Sequence, residues 1–469
     1  MLAYAASAVY SLTPIITGDS GGYLRSGEEF TDPTGATGGG HPIGSWGGLS
    51  LAGDAFRAWP ATLFYSLFPG GDGLLGNDGR ITAQWVIAML ATVFVARAMT
   101  APLGPHLQIA GRAFIYLFAL TGTALTHVLT IGAEGIAYII ALVVVGLTVN
   151  LARRVRAAGW HRRDVASSTA ALALAVMLSV IRITGVVVLI AVLGVLLVSL
   201  IRHGPIRSAV HRWVTIAGGV ILLVGCGVYI QHVSANQSRA WGPASERVYR
   251  TLFAISPALN PLFSADVVAE LPDDAPRCLR EFNPAITDWN ALGSTAIETC
   301  GPNGLAWIEE NYLAVPVSYW RGNPDSAMTW AVQGAAQASS AWVFPGTRTV
   351  VPAIVNPVYY TTDATTGNNI ALFWLAAWLV ALAGVTSTIP AVRRRLRIRP
   401  RGSGVMVSLA TGAWISFVLS YMDIWNSHPR KAWPFYFVAV VISAIAVLHL
   451  SREDQPGENQ VADADARSM

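Results

Sequence analysis

Long runs of apolar residues recur along this chain, and they restrict its fold more than any other feature. A run of about 17–25 apolar residues is long enough to cross a bilayer as a helix, and only helices and closed barrels satisfy their backbone polar groups there. Charged residues make up 12% of the chain and hydrophobic residues 53%. Soluble domains carry roughly 25% charged residues. The pattern therefore predicts an all-α polytopic membrane protein with about ten transmembrane helices.

Short polar loops separate the predicted spans, except for two long segments, 18–80 and 232–369. The first run is short and lacks a basic flank, so a start further upstream is an alternative. A signal peptide is a second alternative, but the missing basic n-region and the poor cleavage site at Gly18-Asp19-Ser20 disfavour it. The runs lie near residues 1–17, 81–101, 107–127, 133–152, 165–181, 184–201, 213–231, 370–390, 404–422 and 434–450.

Arginines concentrate in three short loops, which follow spans four, six and eight. All three loops fall on one side of the membrane in a ten-span arrangement, and the positive-inside rule makes that side cytoplasmic. The prediction is a multi-pass protein of the cytoplasmic (inner) membrane with both termini in the cytoplasm. The basic residues are Arg153, Arg154, Arg156, Arg162, Arg163, Arg202, Arg207, Arg212, Arg393, Arg394, Arg395, Arg397, Arg399 and Arg401.

This topology divides the chain into four regions. Residues 1–231 hold spans one to seven, with an outer loop over 18–80 that carries an amphipathic stretch suited to the membrane surface. Residues 232–369 form an extracytoplasmic domain rich in loops, with helical patches near 244–255 and 303–320. Residues 370–450 hold the last three spans, and the polar tail 451–469 is predicted to be disordered in the cytoplasm.

The cysteines add one constraint on the extracytoplasmic domain. Cys278 and Cys300 both lie in it, and an oxidising compartment permits a disulfide between them. Two free thiols are the alternative. Cys226 lies inside an apolar run and is predicted to be a packing residue.

Ionisable residues in or beside the spans are energetically costly, which makes them candidates for function. Each has an ordinary structural alternative: a helix cap for Asp19 and Asp54, a helix N-terminal carboxylate for Glu134, and an interfacial anchor for Arg182 or Arg430. Taken together, however, the residues fall on the outer face. They are Asp19, Asp54, Arg57, His127, Glu134, Arg182, Asp423, His428, Arg430 and Lys431.

Carboxylates and arginines together suit a reaction on an anionic lipid-linked substrate. Arginine binds phosphate through two parallel hydrogen bonds, and a carboxylate can take the proton of an attacking hydroxyl. No phosphate-binding GxxxxGK[ST], strand-associated GxGxxG, HExxH or CxxC pair is present, so neither a nucleotide donor nor a metal is indicated. Since the basic residues flank apolar runs, a nucleic-acid partner is not indicated either.

Several short motifs are similar to those of the GT-C superfamily of glycosyltransferases, membrane enzymes that use polyprenyl-phosphate sugars. They are Asp19-Ser20-Gly21-Gly22-Tyr23 after the first span, Phe56-Arg57-Ala58-Trp59-Pro60 in the outer loop, Thr130-Ile131-Gly132-Ala133-Glu134, Arg182-Ile183-Thr184-Gly185, and His428-Pro429-Arg430 before the last span. The chain departs from the family pattern in lacking the second proline of the loop motif and an adjacent pair of loop acids.

The resemblance implies a role for each matching residue. Asp19 would be the general base for the acceptor hydroxyl, with Asp54 or Glu134 assisting. The donor phosphate would be held by Arg57, Arg182, His428, Arg430 and Lys431, and the acceptor by Tyr23, Trp59 and Tyr65. For Trp59 and Tyr65, packing in the core is the alternative. The donor would be a polyprenyl-phosphate sugar and the acceptor an envelope glycan, a lipid or a protein. An arginine- and alanine-rich composition suggests a high-GC, actinobacterial source.

Two other kinds of protein share some of these features. A transporter or flippase for a lipid-linked glycan would carry intramembrane charge, but it should also show internal repeats and charges at the midplane. The chain has neither in its sequence. A non-catalytic scaffold of an envelope-assembly complex is the other alternative, and a ligase that moves whole glycans from lipid pyrophosphate is a close variant.

Overall fold

The computed structural model describes a set of helices, and no strand is among the described residues. These residues are 59–68, 76–119, 128, 132–203, 209–239, 247–248, 251–252, 271–281, 289–312, 314–322, 324–325, 403–421 and 429–450.

The helices are numbered here in chain order. They are α1 (Trp59–Ser66), α2 (Asn77–Thr100), α3 (Pro105–Ala119), α4 (Ala133–Ala158), α5 (Arg162–Ile181), α6 (Val186–His203), α7 (Ala209–Arg239), α8 (Arg277–Arg280), α9 (Trp289–Asn311), α10 (Ala314–Gly322), α11 (Ser403–Tyr421) and α12 (Pro429–Leu450). A single 3₁₀ turn, Ile183–Gly185, joins α5 to α6.

Among the described residues, five helices are long and apolar enough to cross a membrane. They are Asn77–Thr100, Ala133–Ala158, Arg162–Ile181, Ile183–His203 and Trp213–Ala235. The predicted all-helical character is thus confirmed for the described residues, and these five helices could each span a membrane.

The other five predicted spans are not established as spans. The third overlaps α3, and the ninth and tenth overlap α11 and α12, whose apolar stretches, Gly404–Phe417 and Phe437–Ala446, are shorter. The first and eighth predicted spans, 1–17 and 370–390, lie outside the described residues.

Helix α4 is the centre of the bundle. Its most apolar window is 83% buried, whereas the windows of α2, α5 and α6 are 39–44% buried and that of α7 is 11% buried. From Ile136 to Val149 this helix is apolar on nearly all sides, which suits a helix surrounded by others. It packs against α2, α5, α6 and α12.

Small residues let neighbouring helices approach closely, a common device in membrane bundles. A Cβ placed on Gly146 of α4 would lie 2.5 Å from Cε1 of Phe94 on α2. A Cβ on Gly412 of α11 would lie 2.8 Å from the Cβ of Ala191 on α6.

Helices α11 and α12 pack along each other, and Trp414 Nε1 donates a hydrogen bond to Ser443 Oγ at 3.0 Å between them.

Successive helices reverse direction, so the bundle has two chemically different ends. One of them, here called the basic end, holds the end of α4, the start of α5 and the end of α6. Trp160 Nε1 donates to Ser199 O at 3.2 Å across this end. Arg154 Nη2 lies 3.1 Å from Asp164 Oδ1, and Asp164 also accepts a hydrogen bond from the backbone N–H of His161 at 3.0 Å. The opposite end holds Glu134 and is called the Glu134 end.

The predicted amphipathic stretch 56–68 forms helix α1 over its described part. Of the eight residues of α1, six are buried: Trp59, Pro60, Ala61, Thr62, Tyr65 and Ser66. The helix packs against α4 and α5, so it forms part of the core at the Glu134 end.

In the predicted extracytoplasmic region, the described elements are helices, and residues 271–276 form a loop with turns before α8. Cys278 and Cys300 form a disulfide, which ties α8 to α9. Helix α9 consists of two helical segments that meet at Gly301, where a φ of 59° favours glycine, and Pro302 begins the second segment. Trp307 Nε1 donates to Asp274 Oδ2 at 3.0 Å, adding a second link across this unit.

Candidate functional site

A buried ion pair joins two of the residues that the sequence singled out. Arg182 Nη2 donates to Glu134 Oε1 at 2.5 Å, and the two side chains are 16% and 8% exposed. Glu134 lies in the first turn of α4, where the positive end of the helix dipole stabilises its negative charge. Arg182 directly follows α5 in extended conformation (φ −139°, ψ 108°), which ends that helix before the 3₁₀ turn.

Arg182 does not use all of its donors in this pair. Its Nε atom is buried and has no hydrogen-bond partner among the described residues. A buried N–H group without a partner is energetically costly, and the cost is relieved when an acceptor such as a phosphate oxygen binds there. The guanidinium is therefore held by a carboxylate through Nη2, while its Nε donor is buried and has no partner among the described residues.

A hydroxyl pair connects the turn beside Arg182 to a second helix. Thr184 Oγ1 lies 2.5 Å from Ser420 Oγ, near the end of α11. Gly185 packs so tightly against α5 that an added Cβ would lie 3.1 Å from the backbone of Leu178. Contacts on both sides thus fix the turn that carries Arg182.

Tyr65 holds the start of α4 in place. Its hydroxyl accepts a hydrogen bond from Gly132 N at 2.9 Å and lies 2.8 Å from Gly132 O and 2.9 Å from Gln84 Oε1, the two acceptors for its proton. Gln84 Nε2 in turn donates to Val128 O at 2.6 Å. Tyr65 is fully buried. Stacking on a sugar requires an open ring face, which the buried Tyr65 ring lacks. Tyr65 instead holds Gly132, two positions before Glu134, and is therefore a positioning residue.

Replacing Tyr65 with phenylalanine tests this positioning role. We expect the variant to lose about 1–3 kcal/mol of stability, because the Gly132 N–H and the Gln84 amide remain buried without their shared partner. Thermal unfolding in detergent, followed by tryptophan fluorescence, measures the change. Tyr116→Phe on α3 is the control, since its hydroxyl has no hydrogen bond within the described part of the chain. Equal unfolding temperatures for the two variants would contradict the prediction.

Trp59 is also set into the core. It is 8% exposed, and its Nε1 donates to Tyr229 Oη at 3.1 Å, linking α1 to α7. Both aromatic residues of α1 that were predicted to bind the acceptor therefore face other helices in this structure. Acceptor binding by these two residues stays a prediction, and the placement of their rings does not favour it.

The last helix begins at the same end of the bundle as Glu134. The rings of Tyr138 on α4 and Phe437 on α12 pack edge to face with centroids 4.9 Å apart. Tyr138 lies about one helical turn after Glu134, and Phe437 about two turns after Arg430. The backbone of Arg430 and Lys431, in the first turn of α12, therefore lies at the Glu134 end.

The remaining predicted site residues lie outside the described part of the chain, so their positions are not assigned. They are Asp19, Tyr23, Asp54, Arg57 and His428. No group of three or more metal-binding side chains occurs among the described residues.

Several polar residues at this end were not singled out from the sequence. Gln84 is one amide within an apolar run, and hydroxyls such as that of Ser420 are common near the ends of spans. Residue type alone therefore does not mark either residue. The signal in the sequence is their position. Each residue lies near the end of an apolar run, at the same end of the bundle as Glu134 and Arg182.

No protein-family model matches this chain, and no curated protein or solved structure is significantly similar to it.

Proposed function

We propose that this protein is an integral-membrane glycosyltransferase of the GT-C type, which moves a sugar from a polyprenyl-phosphate donor to an acceptor hydroxyl. The observation that carries the proposal is Arg182, a mostly buried guanidinium at the end of a membrane bundle. Glu134 holds it in place, and its Nε is without a partner among the described residues. Arginine is the residue best suited to bind phosphate at the edge of lipid.

The reaction needs a base and a cationic site for the leaving group. The acceptor oxygen bonds to the anomeric carbon of the sugar while the bond from that carbon to the phosphate oxygen breaks. The acceptor proton passes to a carboxylate, and polyprenyl phosphate leaves with the bonding electrons. Negative charge builds up on the phosphate as the bond breaks, so an arginine already aimed at it stabilises the transition state.

The ion pair between Glu134 and Arg182 supports a different role for Glu134 within this proposal. Glu134 shares a short ion pair with Arg182, so we assign it to holding that guanidinium rather than to taking a proton. Asp19 remains the proposed base, with Asp54 assisting. Arg182 is the proposed phosphate contact, together with Arg57, His428, Arg430 and Lys431, and Tyr23 remains the proposed acceptor contact.

The proposed setting follows from the distribution of arginines. The basic end would face the cytoplasm, and the Glu134 end would face outward, where envelope glycans are assembled. A lipid-linked donor reaches such a site from within the bilayer and needs no nucleotide-binding domain. The proposed location is the cytoplasmic membrane, with the disulfide-linked helices on the oxidising side.

The direct test is a transfer assay with the purified protein and a panel of polyprenyl-phosphate sugars. We expect one donor to release polyprenyl phosphate in step with sugar transfer. In Arg182→Lys the charge beside Glu134 is kept but the Nε donor is lost. We expect this variant to raise the KM for the donor about tenfold, because lysine contacts phosphate as a point charge.

The lysine variant also separates the proposed role from a structural one. If Arg182 serves only to pair with Glu134, the lysine variant should fold and transfer sugar as the native protein does. A panel in which no donor supports turnover by well-folded protein would contradict glycosyl transfer itself.

A further inference from the structure

A lateral cavity runs along α6 and α11, from Val187 in the first turn of α6 to Arg202 and His203 at the basic end. It has a volume of about 700 Å³ and lies between α4, α6 and α11. Its size falls in the range of roughly 300–1,000 Å³ that is usual for ligand sites. Most of its lining is apolar, with Val195, Val198 and Ile415 among the wall residues.

The cavity exists because small residues leave space between two helices that touch elsewhere. Helices α6 and α11 are in close contact at Gly412, but a Cβ on Gly194 or Gly404 would have no atom within 4 Å. Both of these glycines line the cavity. Open space therefore extends from the middle of α6, at Gly194, to the start of α11, at Gly404, and a long apolar chain could lie along it.

Positive charge surrounds the mouth of the cavity. Arg156, Arg202 and His203 line it, and all three are exposed and have no ion-pair partner among the described residues. The first turn of α11 also contributes to the lining and contains no acidic residue, so the positive end of its dipole is not neutralised there. Asp164, the carboxylate closest in sequence, is already paired with Arg154.

We propose that this cavity binds an anionic phospholipid, with an acyl chain between α6 and α11 and the phosphate at Arg156 and Arg202. The apolar lining would contact the acyl chain. Arg156 and Arg202, which have no ion-pair partner among the described residues, would contact the phosphate. If the basic end faces the cytoplasm, it also meets the leaflet in which anionic lipids attract juxtamembrane basic residues. The proposal does not depend on the glycosyltransferase activity.

Native mass spectrometry of the purified protein tests the proposal, with phosphatidylglycerol and phosphatidylcholine of identical acyl chains as probes. We expect the native protein to retain one phosphatidylglycerol in preference to phosphatidylcholine. Neutralising both arginines, in Arg156→Gln/Arg202→Gln, should weaken phosphatidylglycerol binding by about fivefold for each arginine. Gly194→Leu should exclude both lipids, because its side chain fills the space between α6 and α11.

Matched controls separate the cavity from general effects of charge and size. Arg153→Gln/Arg163→Gln removes two exposed charges from the same end but outside the cavity, and Gly218→Leu places the same side chain in open space on α7. Both controls should bind lipid as the native protein does, and gel filtration checks that all variants fold.

Three results would overturn the proposal. The first is equal binding of the two lipids by the native protein, and the second is equal loss of binding in the control variants. The third comes from a photoreactive residue at position 194. A cross-link from it to residues 370–402 of the same chain, instead of to lipid, would mean that the protein fills this cavity itself.

Discussion

Arg182→Gln is expected to destabilise the protein by about 3–5 kcal/mol, because it leaves the Glu134 carboxylate buried without its counter-charge. The native pair is 2.5 Å long, and both side chains are largely removed from solvent. Replacing both partners, in Glu134→Gln/Arg182→Gln, removes the buried charge altogether. The double variant should therefore be more stable than Arg182→Gln alone, a non-additive result that identifies direct coupling.

The control for this prediction is an ion pair of similar length on the surface. Arg277 Nε lies 2.6 Å from Glu281 Oε1, but the two side chains are 87% and 59% exposed. Arg277→Gln should change stability by about 0–1 kcal/mol, since water screens exposed pairs. Thermal unfolding in one detergent at one scan rate gives the comparison. If Arg182→Gln unfolds at the temperature of Arg277→Gln, Glu134 is not buried with Arg182 in the folded protein.

Asp19→Asn is expected to lower the turnover number of sugar transfer by about 10²–10⁴-fold, the usual contribution of a general base. Asparagine has nearly the shape of aspartate but cannot accept the acceptor's proton at neutral pH. Donor binding should change little, because the proposed phosphate contacts are arginines at other positions. The measurement is steady-state transfer with the donor found in the panel assay, reported separately as kcat and KM.

Asp78→Asn is the matched control for this variant. Asp78 is an exposed carboxylate in the first turn of α2, at the Glu134 end of the bundle. Its replacement should leave kcat within about twofold of native, since it removes the same charge without removing the base. Near-native turnover by Asp19→Asn would assign the base to another residue, with Asp54 as the next candidate.

The positions of the central helices were well predicted from local hydrophobicity. The apolar run predicted over 133–152 is the helix Ala133–Ala158, and that predicted over 213–231 lies within Trp213–Ala235. The error at the end of α4 has a simple cause. Apolar patterning stops where the arginines begin, but arginine favours the helical conformation, so the helix continues past Arg153 and Arg156.

The role of a side chain in the site was harder to predict than the position of a helix along the chain. Tyr65 and Trp59 were expected to meet a sugar because aromatic residues in an outer loop often do so. The structure instead buries both rings against other helices, with hydrogen bonds to Gly132, Gln84 and Tyr229. Each of these contacts joins residues distant in sequence, and nothing local distinguishes an aromatic residue that packs from one that binds.

The sequence by itself determined that this is a helical protein with segments long and apolar enough to span a membrane, and it pointed to Glu134 and Arg182 as costly charges. Both conclusions rest on local properties, since the hydrophobicity of each run and the charge of each side chain can be read without knowing their neighbours. Only the tertiary structure decided that these two residues, 48 positions apart, form one buried ion pair, because a pairing of this kind depends on how α4 and α5 pack. The cavity likewise depends on how α4, α6 and α11 pack, and the glycines Gly194 and Gly404 that line it do not show this in the sequence.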